Sequence, residues 1–143
     1  IFRSKQSFVV CRRKVNFYKG VFFMTGRELV VCLWDEMASQ NWDKVKLCFD
    51  ENAIIRWHNT NESFNVEEFI LVNSKYPGNW NISIKRIEQS QNVIISVALA
   101  QSLDSDVCAY ATSFFEVENG KIICLDEYWG DVTDRPQWRE AVV

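Results

Sequence analysis

Asn119-Gly120, set between two long alternating segments, constrains the fold of this chain more than any other feature. This dipeptide suits a two-residue turn with positive φ at both central positions, and such a turn joins adjacent antiparallel strands. Val107 to Val117 runs into the turn and Lys121 to Trp129 leaves it. Upstream, Trp80 to Glu88 alternates with Ile82 and Ile84 in step, and Val93 to Leu103 is rich in Val, Ile and Ala. Asp104-Ser105-Asp106 turns the chain between the second and third of these segments. The pattern predicts a C-terminal half built from four consecutive strands.

The first half reads differently. Thr25-Gly26-Arg27-Glu28 has the spacing of a capping box, in which the hydroxyl and the carboxylate satisfy each other's free backbone donors. Behind it Leu29, Leu33 and Met37, with Val30 and Trp34, mark one face of a helix to about Ala38. Ser39-Gln40-Asn41 breaks that helix. Asn41 is placed to cap a short second one, with Trp42, Val45 and Phe49 as its stripe. Asp50-Glu51-Asn52 ends it, and Ala53 to His58 reads as a strand before the polar loop Asn59-Thr60-Asn61-Glu62-Ser63. A third helix runs from an Asn65 cap, with Glu68 three residues on, to about Lys75, where Tyr76-Pro77-Gly78 stops it. The order ααβαββββ predicts an α+β fold: a curved antiparallel sheet wrapped around N-terminal helices. A sheet so curved does not close fully on its helices, so a pocket is a natural by-product.

At 143 residues, with 48% apolar content, the chain has material for one domain and one core. Charge divides it. Residues 1–23 carry six basic side chains and no acid, whereas the rest holds ten basic and all nineteen acidic residues, a net charge of −9. An acidic body argues against nucleic acid as a partner. The basic leader has neither an uninterrupted apolar stretch nor a small-residue cleavage site, so it does not read as a signal peptide. Met24 stands just before the first capping box, and Tyr18-Lys19-Gly20-Val21 can be back-translated into a purine-rich ribosome-binding sequence. Residues 1–23 are therefore expected to be a non-native or disordered leader, and 24–143 the single domain. No apolar run approaches the roughly 20 residues a bilayer crossing needs. Five cysteines (Cys11, Cys32, Cys48, Cys108, Cys124) are odd in number and show no metal spacing. The last four lie in apolar runs and read as small buried hydrophobes in a reducing compartment, with the cytoplasm as default.

The chemistry concentrates in Gly120 to Asp131. Strict alternation would place Ile123, Leu125, Glu127 and Trp129 on one face and Ile122, Cys124, Asp126 and Tyr128 on the other. A carboxylate among apolar neighbours has its charged form disfavoured, which raises its pKa and suits general acid–base work. Glu127 is thus the first catalytic candidate, and a structural hydrogen bond to a Trp indole or a helix end is its other role. His58, the only histidine, is the second candidate. If Trp57 faces the interior, alternation sends His58 to the opposite face unless the strand ends there. Asn59 and the polar residues after it occupy a strand end, where ligand contacts and simple backbone capping are both common. Trp34, Trp57, Trp80, Trp129 and Tyr76 provide more aromatic surface than a small core needs, and together they predict an apolar cavity. Ala109, Ala111 and Ser113 leave room for it opposite Glu127. Trp138 is expected to pack over the sheet or a partner. Nothing in the sequence calls for a metal or cofactor.

The element order, the segment WDEMASQNWDKVKLCFDENAIIRW, the Pro-Gly-x-Trp turn, and GKIICLDEYWGD ahead of PQWR resemble the nuclear transport factor 2-like superfamily. That group includes ketosteroid isomerase and the SnoaL-like cyclases, and the likeness is greatest to small bacterial SnoaL-like proteins. It spans about residues 24–139 and implies a cone-shaped fold and a homodimer paired through the convex sheet face, which would carry Asp126 and Tyr128. The positions where ketosteroid isomerases carry an Asp base, a Tyr donor and a second Asp fall here on Trp57, Trp34 and Ala109. None has the required functional group, so that mechanism is not expected. The resemblance therefore implies a binder of a small apolar or aromatic molecule. It would be an isomerase, cyclase or hydrolase if Glu127 moves a proton while His58 or Asn59 holds a substrate oxygen. Without turnover it would be a ligand-binding or protein-interaction module.

Overall fold

A computed structural model describes residues 24–143, together with the backbone of a short ribbon, β1 (Phe17–Tyr18) paired antiparallel with β2 (Val21–Phe22). Apart from that ribbon, the expected leader lies outside the described residues. Helices α1 (Gly26–Ala38) and α2 (Trp42–Leu47) precede strands β3 (Phe49–Trp57) and β4 (Glu62–Phe64). Helix α3 (Val66–Lys75) leads to β5 (Trp80–Ser90), β6 (Val93–Ser102), β7 (Cys108–Glu118) and β8 (Lys121–Asp131), and the short α4 (Gln137–Glu140) follows.

Six strands form one curved, unclosed sheet in the order β4-β3-β8-β7-β6-β5. Every pairing is antiparallel except β3 with β8, which is parallel, so the sheet is mixed and not purely antiparallel as expected. Asn119 and Gly120 take φ of 49° and 73°, the positive values their turn requires. Both capping boxes form: Thr25 with Glu28, and Asn65 with Glu68. Asn41 sits at the start of α2 but makes no side-chain cap, and Phe49 belongs to β3, not to the α2 stripe. The predicted polar loop is shorter than expected, because Glu62–Phe64 pairs with β3 as an edge strand.

Helices α1, α2 and α3 cover one face of the sheet, and the core lies between them. On that face the side chains run in rows across the strands. Ile94, Phe115, Leu125 and Ile55 form a fully buried row. Ser96, Ser113, Glu127 and Trp57 form the next, Ile84, Ala98, Ala111 and Trp129 a third, and Ile82, Ala100, Ala109 and Asp131 a fourth. Side-chain bulk on β6 and β7 thus falls from Ile and Phe through Ser to Ala. One end of the cone is packed and the other has space.

The predicted alternation of β8 fails at one place. Cys124 pairs with Glu116 but Ile122 pairs with the adjacent Val117, so Ile123 is an extra residue, a β-bulge. Ile122 is therefore the fully buried side chain and Ile123 only partly so. Glu127 and Trp129, beyond the bulge, stay in phase with Leu125. Of the cysteines described, Cys48 is buried, whereas Cys32, Cys108 and Cys124 are only half-buried. Trp138 is 67% exposed and does not pack over the sheet.

Candidate functional site

The open end of the cone holds a cavity of about 330 Å³. Its floor is Ala100 and Ala109, where the sheet carries only methyl groups. Its walls come from separate elements: Trp34, Met37 and Gln40 from α1 and its end, Trp42 from α2, and Trp57 from β3. Asn59 and Thr60 follow β3, Asn73 and Tyr76 lie at the end of α3, and Trp80 and Ile82 belong to β5. Val107 precedes β7, and Trp129 and Asp131 complete the wall from β8.

Below this cavity lies a buried polar cluster. Glu127 is 3% exposed. One carboxyl oxygen accepts from the Ser113 hydroxyl at 3.0 Å and the other from the Trp57 indole Nε1 at 2.7 Å. Burial pushes the Glu127 pKa up from its ordinary 4.5, opposed by hydrogen bonding from Ser113, Trp57 and Trp129. The Trp34 indole donates to Ser96 Oγ, one strand further along the same row, at 3.0 Å. Glu127 and Ser113 are thus not wall residues; they lie behind the wall and fix the rings that form it. Asn59 fixes Trp129 from the other side. Its amide donates to the Trp129 carbonyl and accepts from the Trp129 N–H, both at 2.7 Å, as a further residue of β3 would.

His58 lies elsewhere. β3 ends at Trp57, and His58 turns to the outer face of the sheet. There its Nε2 is 2.6 Å from Asp126 Oδ1, and its ring stacks on Tyr128 with centroids 4.5 Å apart. Arg56 approaches the same Asp126 at 3.4 Å. Burial alone would raise the Asp126 pKa, but hydrogen bonds from His58, Cys124 and Arg56 outweigh it and hold it below the ordinary value. His58 and Glu127 thus occupy opposite faces of the sheet, as alternation from an inward Trp57 implies, and of the two residues offered to assist Glu127 only Asn59 lies at the cavity.

Of the residues singled out from the sequence, Trp34, Trp57, Asn59, Tyr76, Trp80 and Trp129 meet around one cavity. Trp34, Trp57 and Ala109, the positions of the isomerase functional groups, also meet there, without an acid or hydroxyl among them. Sequence reasoning missed Trp42, placed only in the stripe of the second helix, and Asp131, two residues past the predicted strand end at Trp129. Continuing the β8 alternation from Glu127 through Trp129 would have found Asp131. Among the described residues, no group of three or more His, Cys, Asp or Glu is placed to hold a metal ion. No helix among them is long and apolar enough to cross a membrane.

No protein-family model and no curated protein matches the chain. Solved structures do. A candidate ketosteroid isomerase from Kribbella flavida is 19% identical, with a TM-score of 0.71 over 82% of this chain and 87% of its own. A nuclear transport factor 2-like protein of unknown function from Burkholderia xenovorans is 24% identical, with a TM-score of 0.70 over 82% and 92%. A candidate SnoaL-like polyketide cyclase from Shewanella putrefaciens is 10% identical, with a TM-score of 0.64 over 74% and 90%. The helices, the curved sheet and the open-ended cone are thus those of the nuclear transport factor 2-like fold.

Proposed function

We propose that this protein binds a small, largely apolar organic molecule in the cavity between the helices and the open end of the sheet. The observation that carries this is the change from large to small side chains along β6 and β7 beneath a wall of aromatic rings. A core selected only for stability would fill that space, since interiors pack to near-crystalline density. The volume of about 330 Å³ is at the small end of ligand sites.

Glu127 serves this site as a positioning residue. Both of its oxygens accept hydrogen bonds from within the protein, and two rings of the wall depend on it. The upward pKa shift favours a second, catalytic reading as an isomerase or cyclase, in which Glu127 exchanges a proton with a bound substrate. That requires the Trp57 or Trp129 ring to yield first. The outer sheet face, where Tyr110, Phe114 and Tyr128 are exposed, is our proposed homodimer surface. Sedimentation of a monomer at about 100 μM would rule out the homodimer proposed there.

Indole, a neutral probe of suitable size, tests the binding reading through the intrinsic tryptophan fluorescence. We expect saturable quenching with the wild type and none with Ala109→Phe, which puts a ring on the cavity floor, provided thermal unfolding shows that variant folded. Equal quenching in both proteins, or none up to the solubility limit, would overturn it.

A further inference from the structure

The chemistry of the wall narrows the ligand. Indole N–H groups are the usual donors of a tryptophan pocket, but here they serve the protein. The Trp34 indole donates to Ser96, that of Trp57 to Glu127, and that of Trp80 to the Pro77 carbonyl at 3.0 Å. The Trp129 side chain hydrogen-bonds Glu127 as well. The amides are engaged in the same sense: Asn59 donates to the Trp129 carbonyl, Asn73 to that of Phe69 at 2.8 Å, and Gln40 to that of Gly78 at 3.4 Å. The donors left are second amide protons, the Trp42 indole, and the hydroxyls of the exposed Thr60 and Tyr76.

Acceptors are in the opposite condition. The amide oxygens of Gln40 and Asn73 face no donor among the described residues, and the Asp131 carboxylate pairs with no cation among them. Among the described residues, no Lys, Arg or His lines the cavity. Ring faces carry the negative end of the aromatic quadrupole. A carboxyl accepting from an indole N–H shifts electron density into that ring, as Glu127 does for Trp57. The site is thus apolar in surface and negative in potential, within a body that carries a net charge of −9 over residues 24–143, ten basic residues against nineteen acidic. Among these described residues an anion would meet no counter-charge, and a carbonyl ligand would find few donors.

We propose that the cavity selects an organic ammonium ion, an amine whose alkyl or aryl groups fill the apolar space while its charge is held by aromatic faces and by Asp131. Attraction of a desolvated cation to several rings is the established physical basis of such cages. The inference rests on the binding reading above.

Phenyltrimethylammonium and tert-butylbenzene have the same shape and differ by one charge. Titrating each by tryptophan fluorescence, we expect the cation to bind at least tenfold more tightly, and Asp131→Asn to reduce that preference at least threefold. Equal or tighter binding of tert-butylbenzene would overturn the charge preference and leave the binding site standing. Absence of binding by both compounds would overturn the site itself. An undiminished preference in Asp131→Asn would overturn the role given to that carboxylate.

Discussion

Replacing Glu127 in two ways separates its hydrogen-bonding role from its charge. Leucine is similar in volume and has no acceptor, so Glu127→Leu orphans donors from Ser113, Trp57 and Trp129 in a site that is 3% exposed. At about 1 kcal/mol or more for each buried donor left unpaired, the cost is roughly 3 kcal/mol. Glutamine can turn its amide oxygen to the Trp57 indole and its amide nitrogen to the Ser113 hydroxyl, which accepts as readily as it donates. Glu127→Gln is therefore expected to cost no more than about 1 kcal/mol at pH 7. The pH dependence gives a second test. The folded protein holds the Glu127 proton more tightly than the unfolded chain, because burial raises the pKa above 4.5. The stability due to that proton is complete below about pH 4.5 and is lost as the pH rises through the folded-state pKa. The Gln variant does not titrate, so it should gain on the wild type as the pH rises through that window. Each tenfold difference in proton affinity corresponds to about 1.4 kcal/mol. Urea unfolding followed by tryptophan fluorescence at pH 4.5 and 7.5 measures both effects. If the Leu variant is within about 1 kcal/mol of wild type, or the Gln variant loses ground with rising pH, the reasoning fails.

Two further substitutions test the site's layout. His58→Ala should leave indole binding within about twofold and cost at most about 1 kcal/mol, because what it removes, a half-exposed pair with Asp126 and a stack on the exposed Tyr128, lies on the outer face; a tenfold loss of indole affinity would contradict that placement. Asn59→Ala removes both 2.7 Å contacts to the Trp129 backbone, so it should cost about 1–2 kcal/mol and weaken indole binding severalfold. Hydrogen exchange at the Trp129 amide should quicken in the same variant, and unchanged exchange would contradict the clamp.

The four long strands and both capping boxes were legible because each rests on local rules: two-residue alternation, an Asn-Gly turn, and a cap with an acid three residues on. The cavity was legible for a related reason. Ala109, Ala111 and Ser113 on alternate β7 positions can mean only small side chains on one face, whatever the sheet's partners. What local rules could not supply was register between distant segments. The parallel pairing of β3 with β8 brings Trp57 opposite Glu127, and the extra residue Ile123 exchanges it with Ile122 in the core. His58, by contrast, faces outward as alternation from an inward Trp57 requires. Glu127 was read from its apolar neighbours either as a pocket carboxylate or as a structural acceptor for a Trp indole, and the second contact forms. The indoles that cover it come from β3 and β8, and only the assembled sheet shows them as its hydrogen-bond partners.

The most direct test of the cavity uses the indole N–H resonances in a ¹H–¹⁵N correlation spectrum during titration with phenyltrimethylammonium and, separately, indole. The chain has six tryptophans, of which Trp34, Trp42, Trp57, Trp80 and Trp129 line the cavity, while Trp138 is exposed away from it. A ligand in the cavity should shift the Trp34, Trp57 and Trp129 signals together and leave Trp138 unmoved. Shifts confined to Trp138, or none with either compound, would contradict a binding site in the cone.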